Sequence, residues 1–560
     1  MPIPIRYLLI ALCAGLLFFP ALGQVHLFDW DEINFAECAR EMIVSKDYLR
    51  MQIDFQPFWE KPPLFIWLQA LSMHLFGINE YAARFPNAVV GVLTLIGIYH
   101  VGRKVANDRV ALWWMLMYVG SWLPHFYFKS GIIDPSFNAF IFGAFYQVHR
   151  MKYEKPLMHA ALAGLFLGLA VLTKGPVAIL VAGISLVVYT ILNRGLKGYK
   201  MGHLLALTVV TLVVACSWFA VEVSQHGWWF VREFVTYQAG LFSQNIADHE
   251  EPWYYHPIVL TIGCFPASLL LFNYSLSIRK KLWGAASAAI QSKLGIPAKE
   301  RVELDGPNRD FTRWMWIMFW VVLILFSIVK TKIVHYSSLC YFPLTYLAAV
   351  QVEQILFRMR PLKSGVRTAM LVLGTIWGVL LGALPLVGIY KQKLIPYIED
   401  SFAVGNLQAA VPWSLAECLW GILYIAGIWF AVLTIRRSAR KGFLILCAVQ
   451  IVAIQATILH FTPKIEAYSQ RAAIEFFKSK QQEDCYVQVL GYKSYAHLFY
   501  TAKKAPLNKN YYNEEWLRHG AVDKPTYFVC KVDSKEAFAT DPMLQVIGEK
   551  NGFVFMRRRN

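Results

Sequence analysis

Charge is scarce in this chain. Only 16% of its 560 residues are Asp, Glu, Lys or Arg, against roughly 25% in a soluble domain, which excludes a disordered, solvating polypeptide. The nine cysteines include no pair at metal-ligand spacing, which excludes a zinc module, and they are too few and too dispersed for a disulfide scaffold. A glycine-rich phosphate loop and a His-Glu-x-x-His motif are both missing, so nucleotide-binding and zincin chemistries lack their signatures and no nucleotide cofactor is expected. No internal repeat or low-complexity tract occurs.

Apolar residues are abundant instead. They make up 57% of the chain, with 15% aromatic and a mean hydropathy of +0.42. This is the composition of an integral membrane protein, with rings enriched as they are at membrane interfaces. Uncharged stretches long enough for a hydrocarbon core of roughly 30 Å recur at 5–23, 85–102, 110–128, 132–148, 157–172, 177–192, 203–221, 254–275, 314–329, 337–356, 368–389, 413–435 and 442–460, thirteen in all. The run 62–78 is broken by Pro62, Pro63 and Gly77 and is expected at the interface. Ala21-Leu22-Gly23 resembles a cleavage site, so the first stretch is either a span or a signal segment.

Every second loop is basic. From Arg6 to Lys441 the alternate pieces hold 26 basic against 6 acidic residues, which places them in the cytoplasm. The formal charge of +18 therefore marks orientation, and no nucleic-acid partner is expected. The opposite side receives the loops 24–80 and 223–252 and everything after 461. Residues 1–461 are expected to form a membrane domain, and 462–560, with short β-rich runs at 485–490, 527–532 and 553–556 and a helical pattern at 467–479, a small extracytoplasmic α/β domain. Cys485 and Cys530 fall on its predicted strands; a disulfide and two reduced core cysteines are both compatible with that placement.

The outer side collects the unusual polar residues. Loop 24–80 has nine acids against four bases. Its segment 31–42 has helical spacing and is expected as an amphipathic helix on the membrane surface, opened by Asp31 and Glu32. Simple N-terminal capping would also account for those two acids. Glu60-Lys61-Pro62-Pro63 closes the loop. Asp134, preceded by Lys129, sits just inside the fourth span, and Lys174 in the hairpin Thr173-Lys174-Gly175-Pro176. His249 and His256 bracket Pro252-Trp253-Tyr254-Tyr255, and Lys330, Lys332, His335 and Tyr336 share one outer turn. Ionisable groups at membrane depth are functional candidates by default. Their gathering on one leaflet suits transfer from a lipid-anchored phosphate, a carboxylate taking the acceptor's proton and lysines receiving the leaving phosphate. A transporter of lipid-linked sugars is the alternative, but it calls for midplane charges and related halves, and neither is evident.

With Asp31-Glu32, Glu60-Lys61-Pro62-Pro63-Leu64, Ala83-Arg84-Phe85-Pro86, Thr173-Lys174-Gly175-Pro176, His249…Pro252-Trp253-Tyr254-Tyr255 and Lys332…Tyr336…Pro343 in this order, the chain resembles the bacterial polyprenyl-phosphate-dependent GT-C glycosyltransferases of the protein-mannosyltransferase and aminoarabinose-transferase group. The resemblance covers residues 1 to about 460 and the overall plan. It implies a GT-C membrane enzyme with about thirteen transmembrane helices in the bacterial cytoplasmic membrane, its active site and C-terminal domain outside. Such an enzyme moves a sugar, with inversion, from an undecaprenyl-phosphate carrier to lipid A, another envelope glycolipid or a protein. Matched by motif, Asp31 is the catalytic carboxylate, acting as general base, and Asp134 the second outward acid. Lys61, Lys174 and Tyr336 are expected at the carrier phosphate, with Glu32, Arg84 and Lys332 also in the substrate site. Glu60 and His249 match a pair that can hold a zinc ion, His249 being favoured over His256 by its spacing. Two positions depart from the aminoarabinose transferases: Asn34 replaces the usual Arg, and His335-Tyr336-Ser337-Ser338 an aromatic-rich turn.

Overall fold

The computed structural model describes residues 2–196, 198–243, 251–274, 307–357 and 360–559. Among them, eight helices are long and apolar enough to cross a membrane: Glu80–Val105, Pro156–Lys174, Met201–His226, Arg309–Ile328, Val334–Leu356, Ser364–Ile389, Leu415–Arg437 and Ala439–Glu466. Each coincides with an expected span. The other five expected spans are shorter, more polar or interrupted. Ile3–Phe18 and Val177–Leu192 have 16 residues each. Asp134–Met151 has 18, with polar side chains along it. The stretch 110–128 breaks at Gly120 between Asp108–Val119 and Trp122–Phe126. The stretch 254–275 divides into Tyr255–Gly263 and Ala267–Leu271, because Pro266 has no N–H with which to continue a helix. The run at 62–78 contains the helix Leu64–Phe76, and loop 223–252 is largely occupied by the end of Met201–His226 and by Trp229–Ser243.

Neighbouring helices approach closely where side chains are small. A Cβ on Gly164 would lie 2.5 Å from the Leu207 carbonyl oxygen, and one on Gly168 2.6 Å from Val214 Cβ. This Gly-x-x-x-Gly face lets Pro156–Lys174 lie against Met201–His226, the close packing that substitutes for a hydrophobic driving force between helices in lipid. Val334–Leu356 is the central element, almost wholly enclosed. It starts as a 3-10 turn, Val334–Cys340, and becomes α-helical at Tyr341.

The helix Asp31–Ser45 is not a surface helix. Every residue from Glu32 to Met42 is buried, against Leu64–Phe76 on one side and Ala496–Thr501 on the other. Its charges permit this because they are paired internally. Arg40 donates to both oxygens of Glu37 at 2.7 and 2.6 Å, and Glu41 accepts from the Phe55 amide at 2.8 Å. Charges that would have faced water can be enclosed once each has a partner.

The last hundred residues form a four-stranded sheet in the order Tyr486–Leu490, Thr526–Lys531, Phe553–Arg558, Leu544–Lys550. The first pair is parallel and the others antiparallel. The strand Leu544–Lys550 escapes the sequence pattern because it is mostly exposed and carries an irregularity between Val546 and Gly548. Leu490 pairs with Cys530 while Cys485 precedes the strand's first residue. The two sulfurs therefore belong to positions five residues apart along parallel strands, roughly 16 Å at ~3.3 Å per residue. Both cysteines are free and buried, which decides the open alternative in favour of reduced core residues.

Candidate active site

The helices Asp134–Met151 and Pro156–Lys174 are consecutive and pack side by side, so the start of one meets the end of the other. Asp134 is the first residue of its helix and Lys174 the last of its own. Each thus sits where the helix dipole favours its charge. Lys174 Nζ donates to Asp134 Oδ1 at 2.5 Å. Gly175 then turns the chain with φ +98°, and a Cβ there would lie 2.8 Å from Phe234 Cζ. Glycine is required at this position on both grounds.

One turn further along, Asn138 Nδ2 donates to Ser338 Oγ at 2.7 Å, and Ser338 Oγ donates to the His335 carbonyl. These bonds hold the Val334–Cys340 turn so that His335 and Tyr336 face a shared cavity. His335 Nε2 lies 3.5 Å from Asp31 Oδ2 and 3.8 Å from Asp134 Oδ2, an imidazole between two carboxylates. Asp31 is the more open acid, its side chain 28% exposed against 2% for Asp134. Lys174 Nζ stands 5.0 Å from the Tyr336 ring centroid and Lys61 Nζ 5.1 Å from that of Tyr237, both within cation–π range. Desolvation lowers the Lys61 ammonium below its ordinary value, against the pull of Glu60 and Asp31. The cavity enclosed by these groups has a volume of about 1100 Å³. A second cavity of about 860 Å³ among the helices is lined almost wholly by apolar side chains and contains no carboxylate or lysine.

The expected site residues separate into two groups. Asp31, Glu60, Lys61, Asp134, Lys174 and Tyr336 all line the polar cavity. Glu32 reaches its wall, but its carboxylate belongs to Arg84: Nε donates to Oε1 at 3.0 Å and Nη2 to Oε2 at 2.7 Å. Arg84 also donates to the carbonyls of Leu22, Val25 and His26, each at 2.8 Å. All five guanidinium N–H groups are therefore used within the protein, and none is left for a phosphate. Glu32 further accepts from the amides of Gly131 at 2.5 Å and Phe28 at 2.9 Å. Burial alone would raise its carboxyl, but Arg84 and these amides outweigh it and hold the group below the usual carboxylate range. Arg84 and Glu32 thus brace the chain beneath Asp31 rather than meeting substrate. Lys332 is buried and turned away, its Nζ 3.5 Å from the Lys330 carbonyl, and it does not line the cavity. Lys129 is spent on the Pro20 carbonyl.

Glu60 accepts from the Tyr237 hydroxyl at 3.1 Å. Its expected zinc partner His249 lies outside the described residues. Among the described residues no three His, Cys, Asp or Glu side chains gather as a metal set. His335, a candidate from the outer turn, joins the cavity, and so do Tyr237, Lys493 and Lys531, which had not been singled out from sequence. The basic-aromatic dipeptide His335-Tyr336 was the one available signal. The two C-terminal lysines carried none.

Across 99% of this chain and 98% of the other, the fold matches the crystal structure of ArnT from Cupriavidus metallidurans bound to undecaprenyl phosphate, with a TM-score of 0.74 at 18% identity. The apo state of the same protein matches with a TM-score of 0.72. The architecture is the GT-C fold of a multi-pass membrane protein. Residues 60–219 match the family described as dolichyl-phosphate-mannose-protein mannosyltransferase. The chain is 26% identical over 439 residues to the undecaprenyl phosphate-alpha-4-amino-4-deoxy-L-arabinose arabinosyl transferase of Edwardsiella ictaluri, covering 73% of each protein. The enzyme of that name from Pectobacterium carotovorum is 23% identical over 449 residues, 79% of this chain and 74% of the other. The chain is therefore similar in sequence to the aminoarabinose transferases and shares the fold of one of them.

Proposed function

We propose that the enzyme transfers a sugar, with inversion, from an undecaprenyl-phosphate carrier to an acceptor hydroxyl at the outer face of the bacterial cytoplasmic membrane. The observation that carries this reading is the Asp31–His335–Asp134–Lys174 arrangement in one cavity with Lys61 and Tyr336. Asp31, the exposed acid, takes the acceptor proton as its oxygen attacks the anomeric carbon. The bond from that carbon to the carrier phosphate breaks on the opposite side, which inverts the centre. Negative charge then builds on the departing phosphate, where Lys61 and Lys174 receive it. His335, between the two acids, orients Asp31. The donors named for the relatives in Edwardsiella and Pectobacterium support a 4-amino-4-deoxyarabinose carrier lipid as donor. The basic alternate loops support placing the site and the C-terminal unit outside the cytoplasm.

The test is Asp31→Asn in purified protein, with undecaprenyl-phosphate-linked 4-amino-4-deoxyarabinose as donor and lipid A as acceptor. Loss of the base is expected to lower the transfer rate by about 10²–10⁴-fold with donor binding retained. Transfer at the wild-type rate would remove Asp31 from the base role.

A further inference from the structure

Between the end of Ile3–Phe18 and the start of Asp31–Ser45 the chain runs through turns and irregular backbone, without helix or strand. Such a segment has no hydrogen-bond ladder of its own, so the partners of its backbone groups decide where it lies. Arg84 takes the carbonyls of Leu22, Val25 and His26. The next residue, Leu27, is fully buried, and both of its backbone groups are bonded to the C-terminal unit. Its amide donates to the Tyr500 hydroxyl at 2.7 Å, and its carbonyl accepts from Gln470 Nε2 at 2.6 Å. Those partners lie 473 and 443 positions further along the chain.

Two residues on, Asp29 accepts from Ser494 Oγ, and the Trp30 and Tyr495 rings lie 5.6 Å apart between centroids. Ser494 and Tyr500 are both buried, and the helix Ala496–Thr501 that carries Tyr500 also packs on Asp31–Ser45. None of Gln470, Ser494 and Tyr500 lines the catalytic cavity. The residue after Trp30 is Asp31, whose Oδ2 faces His335 within that cavity. The acid therefore stands at the end of a segment held jointly by Arg84 and by the C-terminal unit. A general base works only within hydrogen-bond reach of the proton it takes, and a misplacement of about 1 Å costs about 10²-fold in rate.

We propose that the C-terminal unit positions the general base. Tyr500, Gln470 and Ser494 are its positioning residues, holding the chain at Leu27 and Asp29 so that Asp31 meets the acceptor hydroxyl. This rests on the transferase function proposed above and gives the C-terminal unit a part in turnover itself. The three residues act through the path of the backbone and not through contact with either substrate. Their loss is then felt in the rate of the bound complex, with the binding of donor and acceptor left intact.

The test uses the full-length enzyme with undecaprenyl-phosphate-linked 4-amino-4-deoxyarabinose as donor and lipid A as acceptor. The Tyr500→Phe/Ser494→Ala double variant removes both hydroxyls and keeps the aromatic packing. Its kcat is expected to fall by roughly 10–10²-fold, with KM for donor and acceptor unchanged. Hydrogen–deuterium exchange of the backbone amides in 24–31 is expected to quicken. Ser494→Thr, which keeps a hydroxyl, is expected to retain the wild-type kcat. Tyr512→Phe removes another bond from the C-terminal unit, to the Asp54 carbonyl at 3.0 Å, and is expected to change neither kcat nor that exchange. In an Asp31→Asn background the double variant is expected to lower the rate no further, because both changes act on one step. A wild-type kcat in the double variant, an equal fall in Tyr512→Phe, unchanged exchange, or a further fall in the Asp31→Asn background would each overturn the proposal. If Asp31→Asn itself transfers at the wild-type rate while exchange responds to Tyr500 and Ser494, the base role of Asp31 fails and the hold of the C-terminal unit on the segment stands.

Discussion

Replacing Arg84 by Leu separates a brace from a substrate contact. Arg84 is 2% exposed and Glu32 4% exposed, so the change leaves a carboxylate enclosed without its counter-charge and frees the carbonyls of Leu22, Val25 and His26. Breaking a buried pair by deleting one partner costs about 3–5 kcal/mol, and each abandoned carbonyl adds to that. Removing both charges in Arg84→Leu/Glu32→Gln is expected to recover about 2 kcal/mol or more, since no uncompensated charge remains. Thermal unfolding of the detergent-solubilised protein measures both. Because Arg84 holds the Glu32 carboxyl below its ordinary value, the pair's contribution is present above the unfolded carboxylate pKa and is lost as pH falls through the depressed folded one. The wild-type advantage over Arg84→Leu should therefore shrink in acid. An Arg84→Leu protein that unfolds at the wild-type temperature, gains nothing from Glu32→Gln and shows only a raised donor KM would refute the brace and restore Arg84 to the phosphate.

The zinc expected at Glu60 and His249 is checked by metal analysis of protein purified without chelator. One equivalent of zinc that disappears in Glu60→Gln supports the pair, and full activity in chelator denies the ion a catalytic role. Burial raises the Asp29 carboxyl to about 6, against the hydrogen bond from Ser494. The folded state thus prefers the protonated form, and stability declines as pH rises from the ordinary carboxylate value to about 6. Asp29→Asn is expected to flatten that segment of the melting-temperature profile, and an unaltered slope would contradict it.

Much of the membrane part was legible in the sequence, because hydropathy and the placement of Lys and Arg respond to lipid before any tertiary contact forms. Eight expected spans coincide with long helices. The shortfalls are local: Gly120 and Pro266 interrupt runs whose composition alone looks continuous. The burial of Asp31–Ser45 was illegible for a different reason. A helix with four acids and one base in fifteen residues reads as water-facing until Arg84, 52 positions from Glu32, and Arg40 are seen to neutralise it. The same pairing converts Glu32 and Arg84 from apparent ligands into support.

Sequence alone thus determined the class of the protein, the alternation of its loops and the identity of the acids and lysines on one side, since these follow from transfer free energies and short motifs. Tertiary structure decided which of those charges remain available for chemistry. Arg84 and Lys332 are spent or turned away, while His335 enters between Asp31 and Asp134 and two lysines from the C-terminal sheet join the cavity. A charge's role depends on whether its partner is already in place, and that partner can be hundreds of residues distant along the chain.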